Sequence, residues 1–152
     1  MSTNYYYFIK NKEAIYNFFG RTFSLVDVPE FGYEIHVAKV SCGWIPLFQA
    51  HEKCRSVEQL KKAYDSGEFR IIDEYLEELS WEGFTKEVLC HNGGVDGAIP
   101  KTPVETNPHS PYHDENMPEH IPVSHFEYAN GLYAHHYFKD EQGYEFTRED
   151  FV

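Results

Sequence analysis

Nine histidines in 152 residues are the first sign of possible chemistry. They are His36, His51, His91, His109, His113, His120, His125, His135 and His136, with six of them between positions 109 and 136. Imidazole is the commonest protein ligand for zinc and often donates as an i, i+4 or i, i+2 pair. His109 and His113 have the first of these spacings, which on a helix would put both rings on one face. The stretch NPHSPYHDENMPEH that holds them carries three prolines and cannot be helical, so the geometric reason for the pairing fails. No HExxH, HxE…PCxxC or CxxC pattern occurs. His109, His113 and His120 are therefore only weak metal candidates, and a polar loop with incidental histidines is the plainer reading. His135 and His136 fall in a segment read as a strand, where neighbours face opposite sides and cannot share one ion.

Three cysteines, Cys42, Cys54 and Cys90, form no CxxC pair and are odd in number. With no secretory leader recognised in MSTNYYYFIKNK, they read as reduced thiols of a cytoplasmic protein. Cys90 or Cys42 could serve as a nucleophile only if tertiary structure brought a base to it; a buried inert thiol is the default. Phosphate-cradling loops are missing, because Gly93-Gly94-x-x-Gly97 follows a helix rather than a strand. Basic residues interleaved with aromatics are missing too.

The elements that would position these residues read as follows. NYYYFIK (4–10) is an aromatic first strand. Residues 11–20 make a short helix with Asn11 as cap and Gly20 as stop. YEIHVAKVSCGW (33–44) is a strand, with Ile35, Val37 and Lys39 on one side and His36, Ala38 and Val40 on the other. WIPLFQAHE (44–52) is its hairpin partner, placed at an edge or bulge by Pro46. Ser56, with Gln59 three residues on, starts a helix that ends at Gly67. FRIIDEY (69–75) is a strand, and SWEGFTKEVL (80–89) is a helix capped by Ser80. SHFEYA and LYAHHYFK flank Asn130-Gly131 as a hairpin, and Thr147 with Asp150 caps a last turn of helix. Between them, residues 92–122 hold six of the eight prolines and no periodicity, which suggests a functional loop or linker. The expected organisation is an α+β core over 1–91, the Pro/Gly/His-rich stretch 92–122, and a C-terminal segment 123–152 that completes the core. The expected fold class is α+β, a mainly antiparallel sheet with two or three short helices.

One segment recurs. DEYLEELSWEGF (73–84) aligns without gaps on DEQGYEFTREDF (140–151). In both, a strand end leads to an acidic turn, an apolar anchor, a Ser or Thr cap and a returning Phe. Asp73, Glu74, Asp140 and Glu141 thus read as punctuation of a supersecondary unit used twice, not as an acid–base pair.

Charge narrows the function classes. The chain has 25 acids and 13 bases, a formal charge of −12. Residues 1–50 balance at four acids and four bases, so the whole excess lies beyond them. Such a surface repels nucleic-acid backbones and anionic membranes. It suits a basic protein partner, or it serves solubility alone. No apolar run approaches the length of a membrane span.

The motifs IHVAKVSCGWIPLF and IIDEYLEELSWEGF, with the opening NYY, resemble a loose group of small phage-encoded accessory proteins of uncharacterised function. Those combine an "I-H-[IV]-x-K-x-S-x-G-W" hairpin with an "[IV]-x-D-E-Y-x-E-E-[IL]-S-x-E-x-F" segment. The likeness covers roughly residues 4–90 and the closing DEQGYEFTREDF; residues 92–122 have no counterpart. It implies a context, a bacterial host cytoplasm in which small acidic proteins bind and disable host proteins, defence enzymes included. It carries no catalytic residue set.

The leading expectation is a non-enzymatic protein that blocks or sequesters a host protein with a basic surface. Its binding residues would be His36, Lys39, Ser41 and Trp44 on the hairpin, with His113, Asp114, Glu115 and Glu119 in the Pro-rich stretch. No cofactor, membrane or direct nucleic-acid contact is expected, and a homo-oligomer is compatible with the sequence. A second reading is a sponge for a nucleotide-like molecule, with Trp44 or Trp81 stacking a base and Lys39, Arg21 or Arg70 converging on a pocket. A third is a metal-dependent hydrolase using the C-terminal histidines.

Overall fold

The computed structural model describes residues 2–22, 25–41, 43–91, 124–128 and 134–149. Its centre is two long strands, β1 (Ser2–Ile9) and β3 (Gly32–Ser41), paired antiparallel over their whole length. Around them stand β2 (Val26–Val28), β4 (Leu47–Gln49), β5 (Arg70–Asp73), β6 (Glu78–Leu79), β7 (Tyr137–Lys139) and β8 (Glu145–Thr147). The order across the sheet is β6-β5-β1-β3-β4-β8-β7, with β2 paired to the start of β3. All pairs are antiparallel except β4 with β8. This is an α+β fold, and its C-terminal strands belong to the same sheet as its first.

Three helices cover one face. Helix α1 (Lys12–Phe19) starts where Asn11 accepts the Glu13 N–H at 3.0 Å and stops at Gly20, whose φ is 65°. Helix α2 (Val57–Asp65) starts at Ser56, whose Oγ accepts the Gln59 N–H, while Gln59 Oε1 accepts the Arg55 N–H. These reciprocal bonds satisfy donors a helix start leaves open. Helix α3 (Trp81–Phe84) follows the Ser80 cap and runs on into a single π-helical turn, Thr85–Leu89. Their apolar sides meet β1: Phe19 and Phe84 pack edge-on against Tyr7 and Tyr5, and the buried Tyr7 hydroxyl donates to the Leu60 carbonyl at 2.7 Å. At the far end of the same face Phe48, Phe146 and Phe138 stack in a row. A fully buried ring such as Phe48 or Phe146 contributes about 2–3 kcal/mol of transfer energy.

Three expectations are corrected. Tyr5 pairs with Ala38 but Tyr6 pairs with His36, so Val37 is an extra residue, a β-bulge in β3. The bulge shifts the alternation: Ile35, Ala38 and Val40 go to the helical face with Tyr7, Tyr5 and Thr3, and His36, Lys39 and Ser41 share the other face. Strand β4 is an interior strand, not an edge; it begins only after Pro46, so the missing N–H falls outside the ladder. The hairpin expected over 124–139 is not formed. His125–Tyr128 is a turn of helix, α4, and Ala134–His136 a 3-10 turn, leaving only Tyr137–Lys139 as strand. The reason is tertiary: the buried Glu145 carboxylate on β8 accepts the His125 N–H at 2.8 Å and the Ser124 hydroxyl, and so caps a helical turn. Asn130-Gly131 and Asp150 lie outside the described residues.

Candidate functional site

The recurring segment proves to be one turn built twice, at opposite ends of the sheet. In the β5–β6 turn, Asp73 Oδ1 accepts the N–H groups of Tyr75 and Glu77, both at 2.9 Å. The Asp73 N–H reaches the Glu77 carbonyl and the Leu76 N–H reaches the Asp73 carbonyl. In the β7–β8 turn, Asp140 Oδ1 accepts from Gln142 and Tyr144 at 3.0 and 2.8 Å. The Asp140 N–H reaches the Tyr144 carbonyl and the Gly143 N–H the Asp140 carbonyl. Short aspartates favour such turns because they bond backbone two and more residues on.

The twins differ at one telling place. The fourth position needs a left-handed backbone; Gly143 supplies it at φ 91°, whereas the first copy holds Leu76 there at φ 66°. Leu76 is the one non-glycine residue with positive φ among those described. Leu76 is 71% exposed, and Tyr75 beside it 65%. Glu74, Glu77 and Glu78 flank this apolar pair and are all exposed; Glu78 is held by Arg70 and Glu74 by the Asn4 N–H. Two bare apolar side chains thus project from an edge hairpin inside an acidic collar, on a strained turn.

The hairpin residues singled out by sequence fall together. His36, Lys39 and Ser41 line the face of β3 opposite helices α1, α2 and α3, where His36 stacks on Tyr6 at 4.7 Å. Trp44 stacks on His125 at 4.5 Å, and His125 in turn on Tyr137. Burial, with the Lys39 charge nearby, holds the His125 pKa down at about 4, so its ring is neutral at physiological pH. The Trp44 indole is thus a half-covered packing element. His113, Asp114, Glu115, Glu119, His109 and His120 lie outside the described residues, as does Cys42.

Other candidate chemistry is scattered. His135 and His136, expected on a strand, sit on the 3-10 turn with rings 4.2 Å apart. Among the described residues no group of three His, Cys, Asp or Glu side chains is placed to hold a metal ion. Cys54 is fully buried and burial pushes its thiol far up, so it stays neutral. Cys90 is exposed, but the His91 ring turns to the Ser41 carbonyl at 2.9 Å. Lys39, Arg21 and Arg70 do not converge: Arg70 is paired to Glu78, and Arg21 lines a concavity that contains neither of the others. Among the described residues no helix is long and apolar enough to cross a membrane. What sequence reasoning missed is the Tyr75-Leu76 knob. Its signal was present, since the alignment sets Leu76 against Gly143 in a turn rich in acids.

No family model, curated protein or solved structure matches this chain.

Proposed function

We propose that this chain is a non-enzymatic binding protein of the phage accessory type, and that it blocks a host protein by docking the β5–β6 turn onto a basic surface. The observation that carries the reading is Leu76. An exposed leucine at left-handed φ gains nothing from its own fold, and its twin turn uses glycine at the same place. Strain of this kind, held where no packing requires it, marks a contact. Tyr75 and Leu76 supply the apolar anchor and Glu74, Glu77 and Glu78 the charge that selects a cationic rim, an arrangement typical of interface centres. The overall charge of −12 speeds approach to a basic partner.

The test is Leu76→Gly. A left-handed backbone costs an L-residue about 1–2 kcal/mol, and glycine's extra freedom when unfolded costs about 0.5–1 kcal/mol. The variant therefore folds at least as well as the parent. Wild-type protein immobilised in a bacterial lysate should capture one stoichiometric host protein that Leu76→Gly and Glu74→Lys fail to hold. A partner retained by both variants, or none captured by the wild type, overturns the proposal.

A further inference from the structure

Only four arginines occur in the sequence: Arg21, Arg55, Arg70 and Arg148. Three of them line one concavity of about 400 Å³, together with Thr22, Ala50, His51 and Glu52. They arrive from separate stretches: Arg21 just past α1, Arg55 just before α2, and Arg148 just past β8. The fourth, Arg70, is paired to Glu78, as the exposed Lys61, Lys62 and Lys86 are paired to Asp65, Glu58 and Glu82. Among the described residues no carboxylate lies within 4.0 Å of the other three arginines. In a chain with 25 acids and 13 bases, three cations gathered with no carboxylate partner among the described residues run against the general charge pattern.

Two of them are held in place by groups that leave donor edges available. Arg148 Nη1 donates to the His135 and Tyr137 carbonyls at 2.8 and 3.1 Å, and its guanidinium carbon lies 4.6 Å from the centre of the Phe138 ring. The Arg55 guanidinium lies 4.8 Å from the centre of the same ring. Stacking fixes a guanidinium by its face, so N–H groups along its edge can meet a ligand in bidentate fashion. Backbone bonds fasten the surrounding loop: Ala50 N–H to the Thr147 carbonyl, Glu52 N–H to the Arg21 carbonyl and Lys53 N–H to the Phe19 carbonyl. Gly20 permits that close approach. A Cβ there would stand 2.6 Å from Glu52 Oε1 and 3.0 Å from Glu52 Cβ.

We infer that this concavity binds a small phosphate-bearing molecule. Guanidinium forks brought from three separate stretches to one concavity match the several oxygens of a phosphate, where a lone carboxylate would use one fork. The volume falls in the range of small-ligand pockets. The −12 surroundings disfavour a long polyanion, which must approach the acidic surface along its length, more than a single phosphate ester. This site is separate from the β5–β6 turn, and its fate does not depend on the docking proposed there.

The experiment is calorimetry and thermal melting of the full chain with inorganic phosphate, pyrophosphate, AMP and ATP, and with citrate and adenosine as controls. The expected result is saturable binding of at least one phosphate compound, with a matching rise in Tm. Arg21→Ala and Arg55→Ala should each weaken it by roughly tenfold or more, while Arg70→Ala leaves it unchanged. Neither of those two side chains donates a hydrogen bond that holds the described fold, and melting of the ligand-free variants checks that they are folded. A nucleotide bound more tightly than phosphate and pyrophosphate assigns the site to nucleotides; equal binding assigns it to the free anion. No binding at millimolar concentration, binding that survives both arginine variants, or citrate bound as tightly as any phosphate compound overturns the inference.

Discussion

Leu76 and Gly143 make an internal experiment at the scale of one residue. They occupy the same position of the same turn, so exchanging them separates backbone cost from side-chain use. Gly143→Leu should destabilise the protein by about 1 kcal/mol or more, read as a lower midpoint in urea, whereas Leu76→Gly should leave the midpoint level or raise it. His125 gives a second prediction. Its folded pKa is about 4 against an ordinary 6.5. Below pH 6.5 the unfolded chain gains a proton that the folded ring refuses until about pH 4, so stability falls across that window and is unaffected above it. His125→Gln should flatten the fall by about 1–2 kcal/mol once solvent screening of a partly exposed ring is allowed for. Equal slopes for both proteins between pH 4 and 6.5 would contradict this. Neither property was readable from composition: the φ of Leu76 follows from a hydrogen-bonded turn, and the state of His125 from Trp44 and Lys39 far away in the chain.

At the scale of elements, the two aspartate turns should differ in importance. Among the described residues the Asp73 carboxylate accepts only from its own hairpin, but Asp140 Oδ2 also accepts the Val57 N–H at 2.9 Å, tying the β7–β8 turn to the start of α2. Asp73→Ala should cost about 1–2 kcal/mol and Asp140→Ala about 2–3 kcal/mol, since a further helix N–H loses its acceptor; urea unfolding compares them directly. The sequence made β1, α1, α2 and Ser80-capped α3 legible because their signals are local, namely a cap, a stop and a period. It also made the twin turns legible, through their shared aspartate. It concealed the bulge at Val37, which exists only in the pairing with β1, and so misassigned the faces of His36 and Lys39. Residues 124–139 misled for a similar reason. Their aromatic, hairpin-like composition is overruled by the Glu145 carboxylate, which no local pattern announces.

At the scale of the molecule, charge and core are arranged independently. The excess of acids was plain in the sequence and prompted the expectation of a basic partner. The gathering of Arg21, Arg55 and Arg148 was hidden, since it needs the loop 50–55 to be clamped between α1 and β8. Phe146 sits where that clamp meets the core, stacked between Phe48 and Phe138. Phe146→Ala should therefore lower stability by about 3–5 kcal/mol and should also loosen the arginine cluster. Circular dichroism melts and phosphate titrations of the same sample would show whether both are lost together.

The pairing of β4 with β8 has a consequence in time. Gln49 and Thr147 are bonded across 98 positions of sequence. A ribosome adding about 5–20 residues per second takes roughly 5–20 s to cover that distance. For that interval Leu47, Phe48 and Gln49, all buried in the finished protein, offer a bare strand edge to anything nearby. The yield of folded protein should accordingly depend on the pace of translation and on chaperones near the exit tunnel, more than its final stability would suggest.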